Sequence, residues 1–177
     1  MAQNLTRLGV NLGDIAQKLP TAPCGCIKPR RRLVTHHDHI LDLARELFQK
    51  ELGSRLAVGS NETLLSRWCR DNGPAFYAAI TSTRFGGGRR LVRFNPMKFC
   101  ESCNTKDGNG KSTVSDANIR WYSMTPKQLA DVAAGRKSWN LAYRDDRKLL
   151  QRRVSLMTEL VQEEVARFTT AHLRAAA

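Results

Sequence analysis

The chain has 177 residues, 41% of them hydrophobic, which is enough for one modest core with an extension. Lys and Arg together number 29 against 16 acidic residues, and the net charge of +13 favours a polyanionic partner. No apolar run reaches the roughly 18 residues of a membrane span, and residues 1–23 are too polar for a secretory signal. The expectation is a cytoplasmic protein of a bacterial or phage-infected cell, not secreted. Five cysteines in such a chain argue against a disulfide framework and for metal ligands plus one spare thiol. Cys69, flanked by Trp68 and Arg70, is the spare.

Leu5, Leu8, Val10, Leu12, Ile15 and Leu19 approach helical spacing, interrupted by Gly9 and Gly13, so residues 1–23 hold a short helix ending before Pro20. Thr21 to Cys26 is a turn carrying two thiols, and Lys28, Arg30, Arg31 and Arg32 form a dense basic cluster after it. Residues 33–40, LVTHHDHI, read as a short strand that delivers a polar end into a site. From Ile40 the apolar positions 43, 44, 47, 48 and 52 mark an amphipathic helix ending near Gly53. A second helix is expected over residues 61–70, broken by Asn72-Gly73-Pro74. Phe76 to Thr83 fits strand or helix equally. The Gly86-Gly87-Gly88 triplet before Arg89 and Arg90 predicts a hairpin, and it lacks the Gly-Lys-Ser/Thr ending of a nucleotide-binding loop.

After Cys100-x-x-Cys103, residues 107–112 read as polar turn. Thr125-Pro126-Lys127-Gln128 is a helix start, with a threonine cap, proline at the first position and glutamine completing a capping box. That helix ends at Gly135, and residues 138–171 carry a long helical pattern that could pack on the domain, form a homodimer or lie along DNA.

Cys100 and Cys103 have the spacing of a zinc knuckle and supply half of a tetrahedral site. Cys24 and Cys26 are the other closely spaced pair and complete a structural Zn²⁺ site. Between the halves lie His36, His37, Asp38 and His39; imidazole also suits zinc, so histidine ligation of that ion is an alternative. Hydrolysis of a phosphodiester needs a base and a divalent cation. Asp38 and Asn104 are the candidate oxygen ligands for catalytic Mg²⁺, and His39, with His37 next in line, is the candidate base. Asn104 could instead be a left-handed turn residue closing the knuckle. Lys106 and Lys111 are solvated or phosphate-facing, and with Arg89 and Arg90 they join the basic cluster as candidate nucleic-acid contacts.

THHDHI followed downstream by CESCNTKDG resembles the HNH, or ββα-metal, endonucleases, most closely the phage recombination endonuclease VII type. In that group a cysteine pair precedes Asp-His by about a dozen residues, and Cys26 to Asp38 is twelve positions here. The resemblance implies that Asp38 and Asn104 hold Mg²⁺, that His39 is the general base and that the four cysteines hold zinc. Here the first pair is Cys-x-Cys, and about sixty residues separate Asp38-His39 from Cys100, so a helical insertion is expected.

The expected fold is thus α+β: a zinc-pinned ββα-metal core over residues 24–115 with an insertion at about 41–85, then a helical extension over 116–177. The expected function is a metal-dependent endonuclease acting on duplex or branched DNA, with RNA as a second polyanion. The alternative is a zinc-containing DNA- or RNA-binding regulator without catalysis.

Overall fold

A computed structural model describes residues 6–7, 10–11, 32–55, 57–59 and 61–176. Cys24, Cys26, Lys28, Arg30 and Arg31 lie outside the described residues, as does most of the expected N-terminal helix. What is described there is extended: β1 (Thr6–Arg7) pairs antiparallel with β2 (Val10–Asn11). Glycines inside a weak periodic pattern lower helix propensity enough for a local reversal to win.

The protein is of mixed α+β class, with four two-stranded antiparallel pairs and several helices among the described residues. Within the described residues no helix is long and apolar enough to cross a membrane. The chain divides into two compact units, one of residues 1–12, 40–92 and 153–177, the other of 13–39 and 93–152.

In the first unit α1 (Ile40–Glu51) forms where the i, i+3, i+4 pattern predicts, burying Ile40, Leu43, Ala44 and Phe48. The next helix starts later than expected. Asn61 adopts φ 70° in the turn between β4 (Ala57–Val58) and β5 (Glu62–Thr63), and α2 (Leu64–Asp71) begins once the Thr63 side chain accepts the Ser66 amide. Phe76 to Thr83 resolves as helix: α3 (Gly73–Ser82) has Pro74 in its first turn. The Phe48 and Trp68 rings stack with centroids 3.8 Å apart, and Phe76 meets Phe48 edge-on at 5.2 Å. Trp68 donates its indole N–H to Glu164 at 2.9 Å. The expected hairpin is present as β6 (Arg84–Phe85) and β7 (Arg89–Arg90) around the glycine triplet.

In the second unit β3 (Leu33–His36) pairs antiparallel with β8 (Met97–Cys100), Leu33 opposite Cys100 and His36 opposite Met97. Helix α4 (Glu101–Lys111) follows β8 directly, and its first amide, Glu101 N–H, donates to Arg32 C=O at 3.0 Å. Two expectations are corrected here. The Cys-x-x-Cys turn is the end of a strand and the first turn of a helix, so Asn104 is helical, not a left-handed turn residue. Residues 107–111, expected as turn, continue that helix in spite of two glycines.

The reason lies with Gly110. A Cβ there would come within 2.1 Å of the Trp139 ring, so the helix can lie flush on the indole only because no side chain intervenes. Beyond a 3₁₀ turn (Ile119–Trp121), α5 (Pro126–Ala133) has the predicted capping box in full, Thr125 accepting the Gln128 amide and Gln128 the Thr125 amide. The last helix, α6 (Trp139–Ala176), runs through the boundary between the units at residue 152. Tyr122, Trp139 and Tyr143 form an aromatic cluster, the last two stacked at 5.6 Å.

Gly108, on the same helix, would place a Cβ in open space. Gly108→Ala is therefore expected to raise the melting temperature slightly, through a helix propensity gain of about 1 kcal/mol. Gly110→Ala should lower it, because overpacking costs of about 1–3 kcal/mol exceed that gain. Equal melting temperatures for the two variants would show that Trp139 does not rest on the helix.

Candidate functional site

The second unit gathers the polar end of β3, the face of α4 and the segment 120–124. His36 is almost wholly buried, its ring stacked on Phe94 with centroids 4.9 Å apart and tilted against Phe99. Its Nε2 lies 2.8 Å from Met124 C=O and its Nδ1 2.8 Å from Asn104 Oδ1. A carbonyl can only accept, so Nε2 carries the proton. In a neutral ring the Nδ1 lone pair then faces the lone pairs of Asn104 Oδ1. Something positive must resolve that encounter: a second proton on the ring, the amide hydrogens of a reversed Asn104, or a metal ion.

His36 Nδ1 and Asn104 Oδ1 are two potential ligands, and among the described residues the group with three ligand atoms within 4.8 Å of one another is His37, His39 and Asp42. An imidazole whose far N–H is fixed by a backbone carbonyl is the usual arrangement of a ligating histidine. Adjacent ligands about 2.1 Å from an octahedral ion stand about 3 Å apart, close to the observed separation.

Asp38, expected beside Asn104, is fully buried, and its Oδ2 accepts the Arg93 amide at 2.8 Å. Arg93 organises this side of the unit. Its Nη1 donates to Asp146 at 2.5 Å, its Nη2 to Ser123 C=O, and its guanidinium lies 5.5 Å from the Tyr122 ring centroid. Burial works against its charge, but Asp38 and Asp146 outweigh burial and hold the guanidinium more firmly protonated than an ordinary arginine. Asp146 Oδ2 also accepts Gln128 Nε2 at 2.8 Å, so the capping glutamine of α5 belongs to the same network.

His37 and His39 are half-buried, their rings stacked 4.9 Å apart. The His39 amide donates to Ser123 Oγ at 2.8 Å, and Lys111 Nζ stands 3.0 Å from His39 Nδ1. Lys111 also lies 3.9 Å from Asp107, which is buried and accepts the Met124 amide at 3.3 Å. Burial pushes the Asp107 carboxyl above its ordinary value, with Lys111 and His36 pulling the other way.

Of the residues expected from sequence, His37, Asp38, His39, Asn104 and Lys111 thus all fall in this unit, Asn104 joined to His36 and Lys111 to His39. Cys100 and Cys103 are buried at the junction of β8 and α4. Lys106 is exposed on α4, Arg32 is exposed before β3, and Arg89 and Arg90 are exposed on the hairpin of the other unit. Sequence reading gave no role to Arg93, Asp107, Ser123 or Met124. The two backbone partners, Met124 C=O and Ser123 C=O, leave no mark in residue identity. Asp107, three positions after Asn104 on one helical face, could have been noticed once α4 was known to be a helix.

Compared with protein-family models, with characterised proteins and with solved structures, the chain matches none.

The raised Asp107 value has a testable sign. The folded protein holds that proton more readily than the unfolded chain, so the contribution of Asp107 to stability is greatest below about pH 4 and declines as pH rises through the raised value. Asp107→Asn keeps the acceptor for Met124 and removes the charge. Its melting temperature relative to the parent should climb from about pH 4 until the pH passes the raised value and then level off; parallel profiles throughout would show that burial of this carboxylate carries no cost.

Proposed function

We propose that the protein is a metal-dependent endonuclease that hydrolyses phosphodiester bonds in DNA. The observation that carries this reading is the convergence of His36 Nδ1 and Asn104 Oδ1 at 2.8 Å, on an antiparallel strand pair followed directly by a helix, with His37 and His39 next along the chain. The net charge of +13 supplies the attraction for a polyanion.

In this reading His36 and Asn104 hold the catalytic cation, and Asp38 is a structural partner of Arg93 and not a ligand. The mixed nitrogen and oxygen set admits Mn²⁺ or another transition ion as well as Mg²⁺. When bound, the ion neutralises charge on the phosphate and on the departing oxygen. The remaining work belongs to the two following histidines. His39 Nδ1 faces both Lys111 Nζ at 3.0 Å and the Arg120 carbonyl at 3.3 Å, so the ring is held on that side, and in this proposal its Nε2 is the atom that meets a phosphate oxygen. His37 is then the general base that takes a proton from water. Asp107 holds Met124, and through it the far side of the His36 ring. Cys100 and Cys103, with Cys24 and Cys26, would hold structural Zn²⁺ in the same proposal.

Incubation with supercoiled plasmid tests this. The parent protein should nick DNA only with added Mg²⁺ or Mn²⁺, and His37→Ala should lower the rate by a factor of about 10²–10⁴ with the fold intact by circular dichroism. Asn104→Ala should raise the metal concentration needed for half-maximal rate. DNA retarded in a gel without cleavage by any of the proteins, across several divalent ions, would leave a non-catalytic nucleic-acid-binding protein as the function. For the zinc site, Cys103→Ser should lose bound zinc and unfold at lower temperature; retained zinc would exclude Cys103 as a ligand.

A further inference from the structure

The glycine-tipped hairpin belongs to the other unit, and it gathers exposed arginines on one short ribbon. β6 and β7 are only two residues each, and their register sets Arg84 directly opposite Arg90 and Phe85 opposite Arg89. Like charges directly across an antiparallel pair destabilise it. The three arginines are exposed. Arg70, Arg136, Arg147 and Arg167 each rest on a carboxylate, whereas Arg32, Arg45, Arg152 and Arg174 are exposed singly without one among the described residues; the ribbon differs in setting three such arginines on one strand pair. Among the described residues Arg84, Arg89 and Arg90 have no carboxylate partner, and the one bond here is from Arg84 Nη1 to Gly88 C=O at 3.1 Å.

The base of the ribbon is held firmly. The Leu91 amide donates to Thr83 C=O at 3.0 Å, Leu91 and Ile80 are buried, and Leu91 C=O accepts the Nε–H of the buried Arg153 at 2.7 Å. At the tip Gly87 and Gly88 have φ of 77° and 74°, a conformation that side chains resist, and a Cβ on either would meet nothing. The ribbon is therefore anchored in a core, charged along its length and without side chains at its end.

The geometry points to this hairpin as a second nucleic-acid contact, in which Arg84, Arg89 and Arg90 neutralise backbone phosphates of duplex DNA while the glycine tip lets the strand approach closely. The arginines read charge, not sequence, because guanidinium forks match phosphate oxygens bidentately. Duplex fits better than single strand. Single-strand binding relies on exposed aromatic platforms, and the one aromatic residue of the ribbon, Phe85, is half-buried. This inference rests on the proposed DNA substrate, but places affinity on residues that take no part in the chemistry.

The test is duplex binding by fluorescence anisotropy, with the full chain and no added divalent ion, across a salt series. Replacing Arg84, Arg89 and Arg90 by Gln should weaken binding at least about tenfold at 0.1 M salt and reduce the salt slope by about 2.7, at about 0.9 per phosphate contact. Replacement by Lys should restore most of the slope. Circular dichroism and melting temperature should be unchanged in both, since the side chains are exposed. An unchanged affinity and slope in the Gln variant would overturn the proposal. So would loss of binding to a polyglutamate peptide with duplex binding intact, which would assign the ribbon to an acidic protein partner. Because no cleavage enters the measurement, an inactive protein that shows the arginine effect would refute the nuclease reading alone.

Discussion

The second unit is arranged around a buried positive charge. A guanidinium removed from water is costly unless its hydrogen bonds and its charge are both met. Arg93 meets its charge with Asp146 and Asp38 and bonds both terminal nitrogens, to Asp146 and the Ser123 carbonyl, over the face of Tyr122; its Nε is buried with no hydrogen-bond partner among the described residues, and its backbone amide is taken by Asp38. Loss of one partner from such a set typically costs about 3–5 kcal/mol, because the remaining charges stay buried. Each partner therefore has little freedom. Asp38 fixes the chain between β3 and α1, Ser123 fixes the segment that leads into α5, and Asp146 fixes the start of the long helix.

The histidines inherit their positions from this network. Ser123 both accepts from Arg93 and receives the His39 amide, and the next residue, Met124, holds His36 through its carbonyl and Asp107 through its amide. Residues 120–124 thus act as a clasp across the strand end and the helix. The ring nitrogen of His36 that faces Asn104 is aimed by a backbone atom on the opposite side, an orientation that does not depend on bound ligand.

How far the sequence revealed this depended on whether the determinant was a side-chain pattern. The period of α1 and the capping box of α5 are carried by side chains and were legible to within a few residues. The pairing of β3 with β8 was not read from the sequence: the strand expected within residues 33–40 is there, but its partner at 97–100 lies where only a thiol turn was seen. Helix α4 was hidden because Gly108 and Gly110 argue locally for a turn, whereas the reason for Gly110 lies with Trp139, remote in sequence. Asp38 and His36 were distinguishable only in three dimensions. Both are polar residues on one short segment, and which of them faces Asn104 depends on the register of β3 and on Arg93. Met124 was invisible in principle, since any residue supplies a carbonyl.

The bond between Asp38 and the Arg93 amide also closes a loop. Residues 40–92 leave the chain just after Asp38 and return at Arg93, and the two ends of that excursion stand one hydrogen bond apart, at 2.8 Å. A segment with adjoining ends can be lengthened, shortened or exchanged at small entropic cost, since each doubling of a flexible loop costs only about 0.6 kcal/mol. Here the excursion is also tied to the long helix, through Trp68 with Glu164 and Leu91 with Arg153, so a change in its length is cheap only where both of those bonds are kept.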